Sequence, residues 1–488
     1  MAVAANKVEV RRPKVTIPGE STDSITYRAT IPVSSSVDGC PSIRYSSHNA
    51  GGDRIENPTA KELIEKVAAA QTAMFETPTQ NTITIEDGSG NTVEFEGYDT
   101  GPHHDLMFGG VNNGKSLVHR CARLLFLNTS IYIPPPASDG QNLPPTAAAV
   151  QVLDAAKNPC EALKIVLEKI IKDFLSITGA QASTTENQIR KKIHEDNLKI
   201  LNEEWYPILN ASTESGIPAW ESAMNSKPIR LQIYTQIRSV YLGGTSDFSS
   251  IISTFENLFQ MKFVPGHMGV TPGKFIPASA MLSDAEEKEV NIVSLSMNPG
   301  PRKFLVPTAV AIRGLPPTTL PPTAAAVPAA GPGMITWPEP LPPTGQTLVM
   351  QMPSWLPSDM FPNFVVKGGK NLDFNANFDA IKGLEAQKLL GAFLVKRICS
   401  DIARLTYNDI SLQDAFASIT CPLDVSWEIG KRYSIKQPST TSGESSVLFS
   451  GFLRAVQHRV SSSPSKAEAT TQLTFSHVEA NGFTLPNK

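Results

Sequence analysis

The chain has no paired cysteine pattern, no strong charge of either sign and no long apolar run, and each absence excludes a class of protein. Its five cysteines, Cys40, Cys121, Cys160, Cys399 and Cys421, are dispersed with no Cys-x-x-Cys spacing. An odd, scattered set is not a disulfide framework and points to reduced thiols in a cytoplasm. The formal net charge is −3 and the pI is near 6.3, which gives no electrostatic case for tight nucleic-acid binding. Basic pairs such as Arg11-Arg12 and Lys191-Lys192 read as solvated surface. The longest apolar helical stretches carry charges every few residues, so no membrane insertion is expected. No early segment joins a basic region, an apolar core and a cleavage site, and no signal peptide is expected either.

At 488 residues the chain is too long for one compact core, and about three domains are expected. A hydrophobic content of 41% with mixed charges is that of a globular protein. Proline is the compositional outlier, at 39 residues. Pro134-Pro135-Pro136, Pro144-Pro145 and above all Pro316 to Pro362 cannot form regular helix or central strand. The last of these is expected to be an extended arm. Its apolar residues, among them Trp337, Leu348, Met350 and Trp355, suit a segment lying either on its own domain or across a neighbouring subunit.

Periodicity organises the rest. Strand-like runs occur at Val8–Val10 and Ile25–Val33, and Thr82–Ile85 and Thr92–Phe95 form a hairpin about Asp87-Gly88-Ser89-Gly90-Asn91. A helix over Ala60–Met74 lies between them. Residues 145–265 read as helical. Leu163, Val166, Leu167, Ile170, Ile171, Phe174 and Leu175 make one stripe, ended by Gly179. Thr185-x-x-Gln188 is a capping box for a second helix reaching Trp205, and Asp247 caps a third ending near Phe259. Strands return at Val290–Leu295 and Phe304–Ile312, and a helix is predicted over Leu384–Leu405.

One formal motif is present. Gly109-Gly110-Val111-Asn112-Asn113-Gly114-Lys115-Ser116 fits G-x-x-x-x-G-K-S, the loop in which glycine N–H groups, a lysine and a serine hold phosphate and magnesium. Leu117–Phe126 reads as the helix that such a loop opens. The preceding His103–Phe108 is too short and polar for the buried parallel strand that a P-loop follows. Val150–Asp154 is the nearest substitute for a magnesium partner, and it sits at a helix start.

The other candidates are weak. His103-His104 point to opposite faces if they lie in a strand, and they lack a third metal ligand. His458 and His477 end two strands that could bring them together. Carboxylates such as Glu286-Glu287 read as helical surface rather than as apolar pockets. There is no Gly-x-Ser-x-Gly elbow and no glycosidase-like carboxylate pair. Trp337 and Trp355 are the only aromatics suited to a carbohydrate surface. No catalytic, cofactor-binding or metal-binding residue is assigned, and the chain is expected not to be an enzyme.

The C-terminal residues are the most informative. Phe449-Ser450-Gly451-Phe452-Leu453-Arg454-Ala455-Val456-Gln457-His458-Arg459-Val460 and Ala469–Val478 both alternate at period two around the turn Ser461–Lys466. With the upstream run Trp427–Ile435, containing Gly430-Lys431-Arg432-Tyr433, this pattern resembles the C-terminal barrel of tail hub proteins of contractile-tailed bacteriophages. The resemblance is best over the last hundred residues or so. It implies an α+β chain of two tail-tube-like antiparallel β-barrel domains with a helical insertion and a proline-rich arm. The expected division is an N-terminal β-barrel domain over 1–144, a helical insertion over 145–265, strands returning to the barrels over 266–315, the arm over 316–362 and a C-terminal β-barrel domain over 363–488.

The resemblance further implies a homotrimeric virion protein of the baseplate, assembled in the bacterial host cytoplasm. It would join a hexameric tail tube or distal tail protein to a trimeric central spike, contact baseplate wedge proteins and pass genomic DNA through its lumen. The alternatives are another baseplate or tail adaptor, and a P-loop ATPase using Gly109–Ser116. Lys115→Ala separates the last from the others in an ATP-hydrolysis assay. An ATPase loses activity with its fold intact, whereas a hub keeps its assembly unchanged.

Overall fold

In the computed structural model, the period-two runs about the serine turn form a hairpin of 18- and 15-residue strands, Ser446–Ser463 and Lys466–Ala480. The structure describes residues 14–16, 24–30, 42–48, 64–65, 68–69, 71–72, 80–99, 103–105, 114–121, 130–132, 161, 164–165, 168, 172, 185–200, 202–203, 245–247, 253, 256–264, 274–300, 307–315, 333–339, 341–342, 345–353, 356, 384–438, 446–463, 466–483 and 485.

In chain order the strands are β1 (Lys14–Thr16), β2 (Ser24–Thr30), β3 (Ser42–His48), β4 (Gln80–Glu86), β5 (Thr92–Asp99), β6 (His103–Asp105), β7 (Gly114–Cys121), β8 (Ser130–Tyr132), β9 (Thr245–Asp247) and β10 (Met261–Val264). They continue as β11 (Lys274–Pro277), β12 (Glu286–Glu289), β13 (Ser294–Asn298), β14 (Pro307–Leu315), β15 (Gly333–Trp337), β16 (Gln346–Gln351), β17 (Phe416–Pro422), β18 (Arg432–Gln437), β19 (Ser446–Ser463) and β20 (Lys466–Ala480). The longer helices are α1 (Thr185–Ile200) and α2 (Leu384–Leu412). Val8–Val10 and the proline clusters at 134–136 and 144–145 lie outside the described residues.

The long hairpin is the centre of a 13-stranded sheet ordered β1-β4-β5-β7-β3-β2-β19-β20-β17-β13. Its leading edge serves two neighbours. Residues 446–452 of β19 pair with β18, and residues 455–461 of the same edge pair with β2. N-terminal and C-terminal strands therefore share one hydrogen-bonded sheet. The expected hairpin of β4 and β5 is present. Ile83, Ile85 and Phe95 are fully buried on one face, as alternation requires. The buried Asp87 carboxylate accepts hydrogen bonds from the Ser89 and Asn91 N–H groups, each at 2.9 Å, which fixes the turn.

A single segment reaches both sides of the C-terminal strands. β12 runs parallel to β18, and β13 pairs antiparallel with β17. Between them the Val290 N–H donates to Lys436 O and the Val293 N–H to Thr420 O. The predicted strand Val290–Leu295 is thus broken at the point where the chain changes partner. Glu286-Glu287, expected on a helix, lie in β12. The run Trp427–Ile435 is broken as well, because Gly430 adopts φ +83 and strand begins only at Arg432.

The prolines do not keep residues 316–362 free of strand. β15 and β16 flank β14 in a three-stranded sheet, as edge strands on this chain's own β14. Edges are where proline-rich sequence can pair, since an edge needs N–H donors on one side only. α2 packs on β14 and β15, and its Val395, Ile398 and Ile402 are buried in the core. Each such side chain contributes roughly 1.5–3 kcal/mol of burial. α2 extends beyond the predicted Leu405 to Leu412, since no glycine or proline stops it. Residues 64–65, 68–69, 71–72, 161, 164–165, 168, 172, 253 and 256–259 are helical, and α1 begins at the predicted capping-box threonine. β9 and β10 add strand to the stretch expected to be helical.

The C-terminal core is aromatic. Tyr433, Trp427, Phe475 and Phe449 form, in that order, a chain of edge-to-face contacts with centroids 4.9 Å, 6.4 Å and 5.4 Å apart. Two glycines of the recognised pattern admit this packing. A Cβ on Gly451 would lie 3.0 Å from Phe475 Cβ, and one on Gly430 would lie 2.8 Å from Val264 Cγ1 and Cγ2. Gly430→Ala is expected to cost about 1–2 kcal/mol through its left-handed backbone alone, with the Val264 clash in addition. Gly451→Ala is expected to cost about 1–3 kcal/mol by overpacking. Urea denaturation of each variant measures both.

Candidate functional site

Of the P-loop match the structure describes only the last three residues, and these do not lie on a helix. Gly109–Asn113 lie outside the described residues, while Gly114, Lys115 and Ser116 open β7 instead of a helix. Their backbone pairs on one side with β3, Lys115 opposite Ser47, and on the other with β6, Lys115 opposite His104. A P-loop lysine and serine stand on the first turn of a helix whose free N–H groups face the phosphates. Here the same backbone lies within an antiparallel ladder. The predicted helix Leu117–Phe126 is strand as far as Cys121, and Val150–Asp154 lies outside the described residues.

The histidines separate into different settings. His103 and His104 are consecutive in β6. His458 stands opposite Thr471, and His477 lies six residues further along β20, about 20 Å at strand rise. The pairing of these two suggested by the sequence does not form. Among the described residues no group of three or more His, Cys, Asp or Glu could hold a metal ion. Trp337 is partly buried against the core rather than solvent-facing, and Trp355 lies outside the described residues. Cys399 and Cys421 are buried free thiols, each pushed up to about 12 by burial. Among the described residues no helix is long and apolar enough to cross a membrane.

The structure instead assembles two polar networks, one buried and one partly exposed, that sequence reading did not anticipate. Arg432, 2% exposed at its side chain, donates from Nη1 to the carbonyls of Met281 (2.6 Å) and His477 (3.1 Å), and from Nη2 to Glu479. Glu479 also accepts the Leu485 N–H. One guanidinium thus joins the 3-10 turn Ala278–Leu282, β18 and β20. Burial pulls the Arg432 pKa down, and the Glu479 carboxylate opposes that shift. Beside it, His477 has φ +53. Its Nε2–H donates to Asp409 Oδ1 on α2 at 3.1 Å, and its Nδ1 lies 3.1 Å from the Ser476 hydroxyl. Burial pushes the Asp409 carboxyl up, but the His477 hydrogen bond and the nearby Lys262, His477 and Arg454 charges hold it below the ordinary value.

In the second network Lys288 Nζ lies 3.8 Å from the Trp427 ring centroid, donates to Ser426 Oγ and pairs with Asp424 at 3.2 Å. Thr471 Oγ1 donates to Asp424 O and accepts from the Asp424 N–H, so the 2.9 Å contact with His458 is donated by Nδ1–H. The Asp424 carboxyl is held below its ordinary value. Burial opposes this, and the Ser426 and Lys288 contacts outweigh it.

The first network does not expose a nucleophile. Ser476, His477 and Asp409 follow the order of a hydrolytic triad, but Ser476 is 4% exposed. A polar cavity of about 340 Å³ reaches Asp409, with Glu256, Lys262, Gln260 and Thr406 among its walls and neither Ser476 nor His477. A nucleophile must meet its substrate, and this hydroxyl is enclosed. The contacts tie elements together rather than present reactive groups.

No protein-family model matches the chain, and no curated protein matches it. Solved structures similar to it include the tail protein from Neisseria meningitidis MC58, at 10% identity over 95% of each chain and a TM-score of 0.39. The 43 kDa tail protein of prophage MuSo2 from Shewanella oneidensis is similar at 8% identity over 95% of this chain and 97% of that one, with a TM-score of 0.41. The half-lidded Francisella PdpA-VgrG complex is similar at 9% identity over 93% of this chain and 53% of that one, with a TM-score of 0.33. Tail proteins and VgrG complexes are thus what the chain is similar to, at TM-scores below 0.5.

Arg432→Met is expected to destabilise the protein by about 3–5 kcal/mol, because Glu479 then stays buried without its cation; guanidinium unfolding checks it. The low carboxyl pKa values of Asp409 and Asp424 add stability that is present above the unfolded value of about 4 and lost as pH falls through the folded values. Asp409→Asn is therefore expected to lower Tm at pH 7 and to converge on the native protein as pH falls through the lowered folded value of Asp409. A Tm series from neutral to acid pH tests the sign.

Proposed function

We propose that the chain is a structural hub of a contractile phage tail, a homotrimer joining the hexameric tail tube to the trimeric central spike. The observation that carries this reading is the β2–β19 pairing, by which one chain joins two β units edge to edge. On one side lie β1, β4, β5, β7, β3 and β2; on the other lie β19, β20, β17 and β13, with β18 and β12 on the branch. A barrel-like C-terminal unit is supported by β12 and β13, which stand at the two ends of its path, belong to one segment and pair with β18 and β17 but not with each other. A barrel of this kind leaves a free strand edge, here that of β13, for a neighbouring unit.

Two such units per chain give six in a trimer, which matches a six-fold tube above while keeping three-fold symmetry for a spike below. The C-terminal residues that resemble the hub barrel, Trp427–Ile435 and Phe449–Val478, fall within this unit. The near-neutral charge suits a lumen that passes DNA without holding it. The chain is then a virion component of the baseplate, assembled in the host cytoplasm. Tail tube or distal tail protein, spike and wedge proteins are its partners, and it has neither catalytic activity nor cofactor.

The test is the mass of the purified protein by light scattering, followed by co-expression with a tail-tube and a spike protein. A trimer that retains the spike is expected. A monomer or hexamer that hydrolyses ATP with magnesium overturns the reading.

A further inference from the structure

β13 is an edge built to be continued. Its five residues are all exposed, and among the described strands it pairs with β17 alone. Leu295 stands opposite Ile419 and Met297 opposite Ala417. Both β17 partners are fully buried, yet Leu295 is 43% and Met297 41% exposed. Directly opposed residues of an antiparallel pair share a face, so the core face of the sheet runs on past its last strand and remains partly uncovered there. Val293, two residues earlier and 69% exposed, adds to the same apolar row.

The adjoining strand shows what a guarded edge looks like in this protein. β12 reads Glu-Glu-Lys-Glu, with its three glutamates exposed, which is the charged composition that blocks unwanted strand addition. β13 reads Ser-Leu-Ser-Met-Asn and has no charge and no proline. The guard stops where the segment crosses from β18 to β17.

We infer that β13 is the seam between subunits, where it adds the N-terminal sheet of a second copy of this chain in head-to-tail fashion. The occupant follows from the path of the sheet. Among the described residues the main path of the sheet ends at β13 and at β1, the latter lying on β4 over Thr84–Glu86, while its side branches end at the charged β12 and the three-residue β6. One chain therefore offers two different strand ends, and pairing one with the other of the next copy is the heterologous contact that generates a ring. Inside the chain, β2 already meets β19 by antiparallel addition at an edge, and the seam repeats that interaction between chains. This inference rests on the hub reading and names its interface.

The experiment compares the native protein with Leu295→Lys/Met297→Lys by light scattering, with Val349→Lys on the exposed β16 position as the control. The expected result is a threefold fall in mass for the double variant, with unchanged circular dichroism and urea midpoint, and no change for the control. A photo-crosslinking residue in place of Ser296, in an otherwise native chain, tests the seam without the charge change. Crosslinks to residues 14–16 or 80–86 of a second copy are expected. Crosslinks to 294–298 of the second copy mean two-fold pairing of β13 with itself and overturn the head-to-tail seam. A native trimer that stays trimeric in the double variant overturns the seam and leaves the hub reading in place. A native monomer overturns the hub reading itself.

Discussion

Every N–H and C=O of a strand requires a partner, and in this protein that requirement falls most heavily on one strand. β19 is 18 residues long, about 60 Å at strand rise, and no single neighbour covers its leading edge. β18 satisfies the first part and β2 the rest. This division of one edge is what binds the N-terminal strands to the C-terminal core. If the hairpin were cut back to the length of β18, the N-terminal sheet would lose its attachment. The size of the hairpin is thus a property of the assembly as much as of its own unit.

Much of this was legible because the hairpin obeys the period of two. Leu453, Leu473 and Phe475 alternate as a buried set, but bulges at Ser450/Phe452 and Leu453/Ala455 shift the phase, so that Phe452, Val456 and His458 are buried as well and Ala455 is not. β17 was equally legible in principle. Ala417, Ile419 and Cys421 are buried at every second position, but a helix immediately before it and only seven residues of length made it easy to pass over. β7 was misread because Gly-Lys-Ser-Leu-Val-His-Arg-Cys carries a motif whose meaning depends on what surrounds it. The glycine-lysine pair begins a strand here because β3 and β6 are available on either side, and nothing local to residues 114–121 announces that. β15 and β16 were obscured by proline content, although edge strands tolerate proline nearby.

The polar networks were illegible for a different reason. Arg432 meets the Met281 carbonyl across 151 positions, and His477 meets Asp409 across 68. No spacing rule links such residues. Arg432 follows Lys431 in the run Gly430–Ile435, and surface exposure was the ordinary expectation for it. Such groups become visible only once the register of β18 against β19 is fixed.

That register is what these buried charges specify. A slip of β18 by one residue would turn Arg432 to the opposite face, away from Glu479 and the two carbonyls, and leave several buried polar groups unsatisfied at once. Apolar residues of similar volume would fill the same space with comparable stability, but they would tolerate the slip far better. The choice of guanidinium over hydrocarbon therefore favours one alignment of β18, β20 and the 3-10 turn rather than maximal stability. Alignment matters here because β12 pairs with β18 in parallel and leads directly into β13. An error in β18 would carry through that segment and displace the apolar row Val293, Leu295 and Met297. The buried arginine thus sets, at a distance, the position of β13.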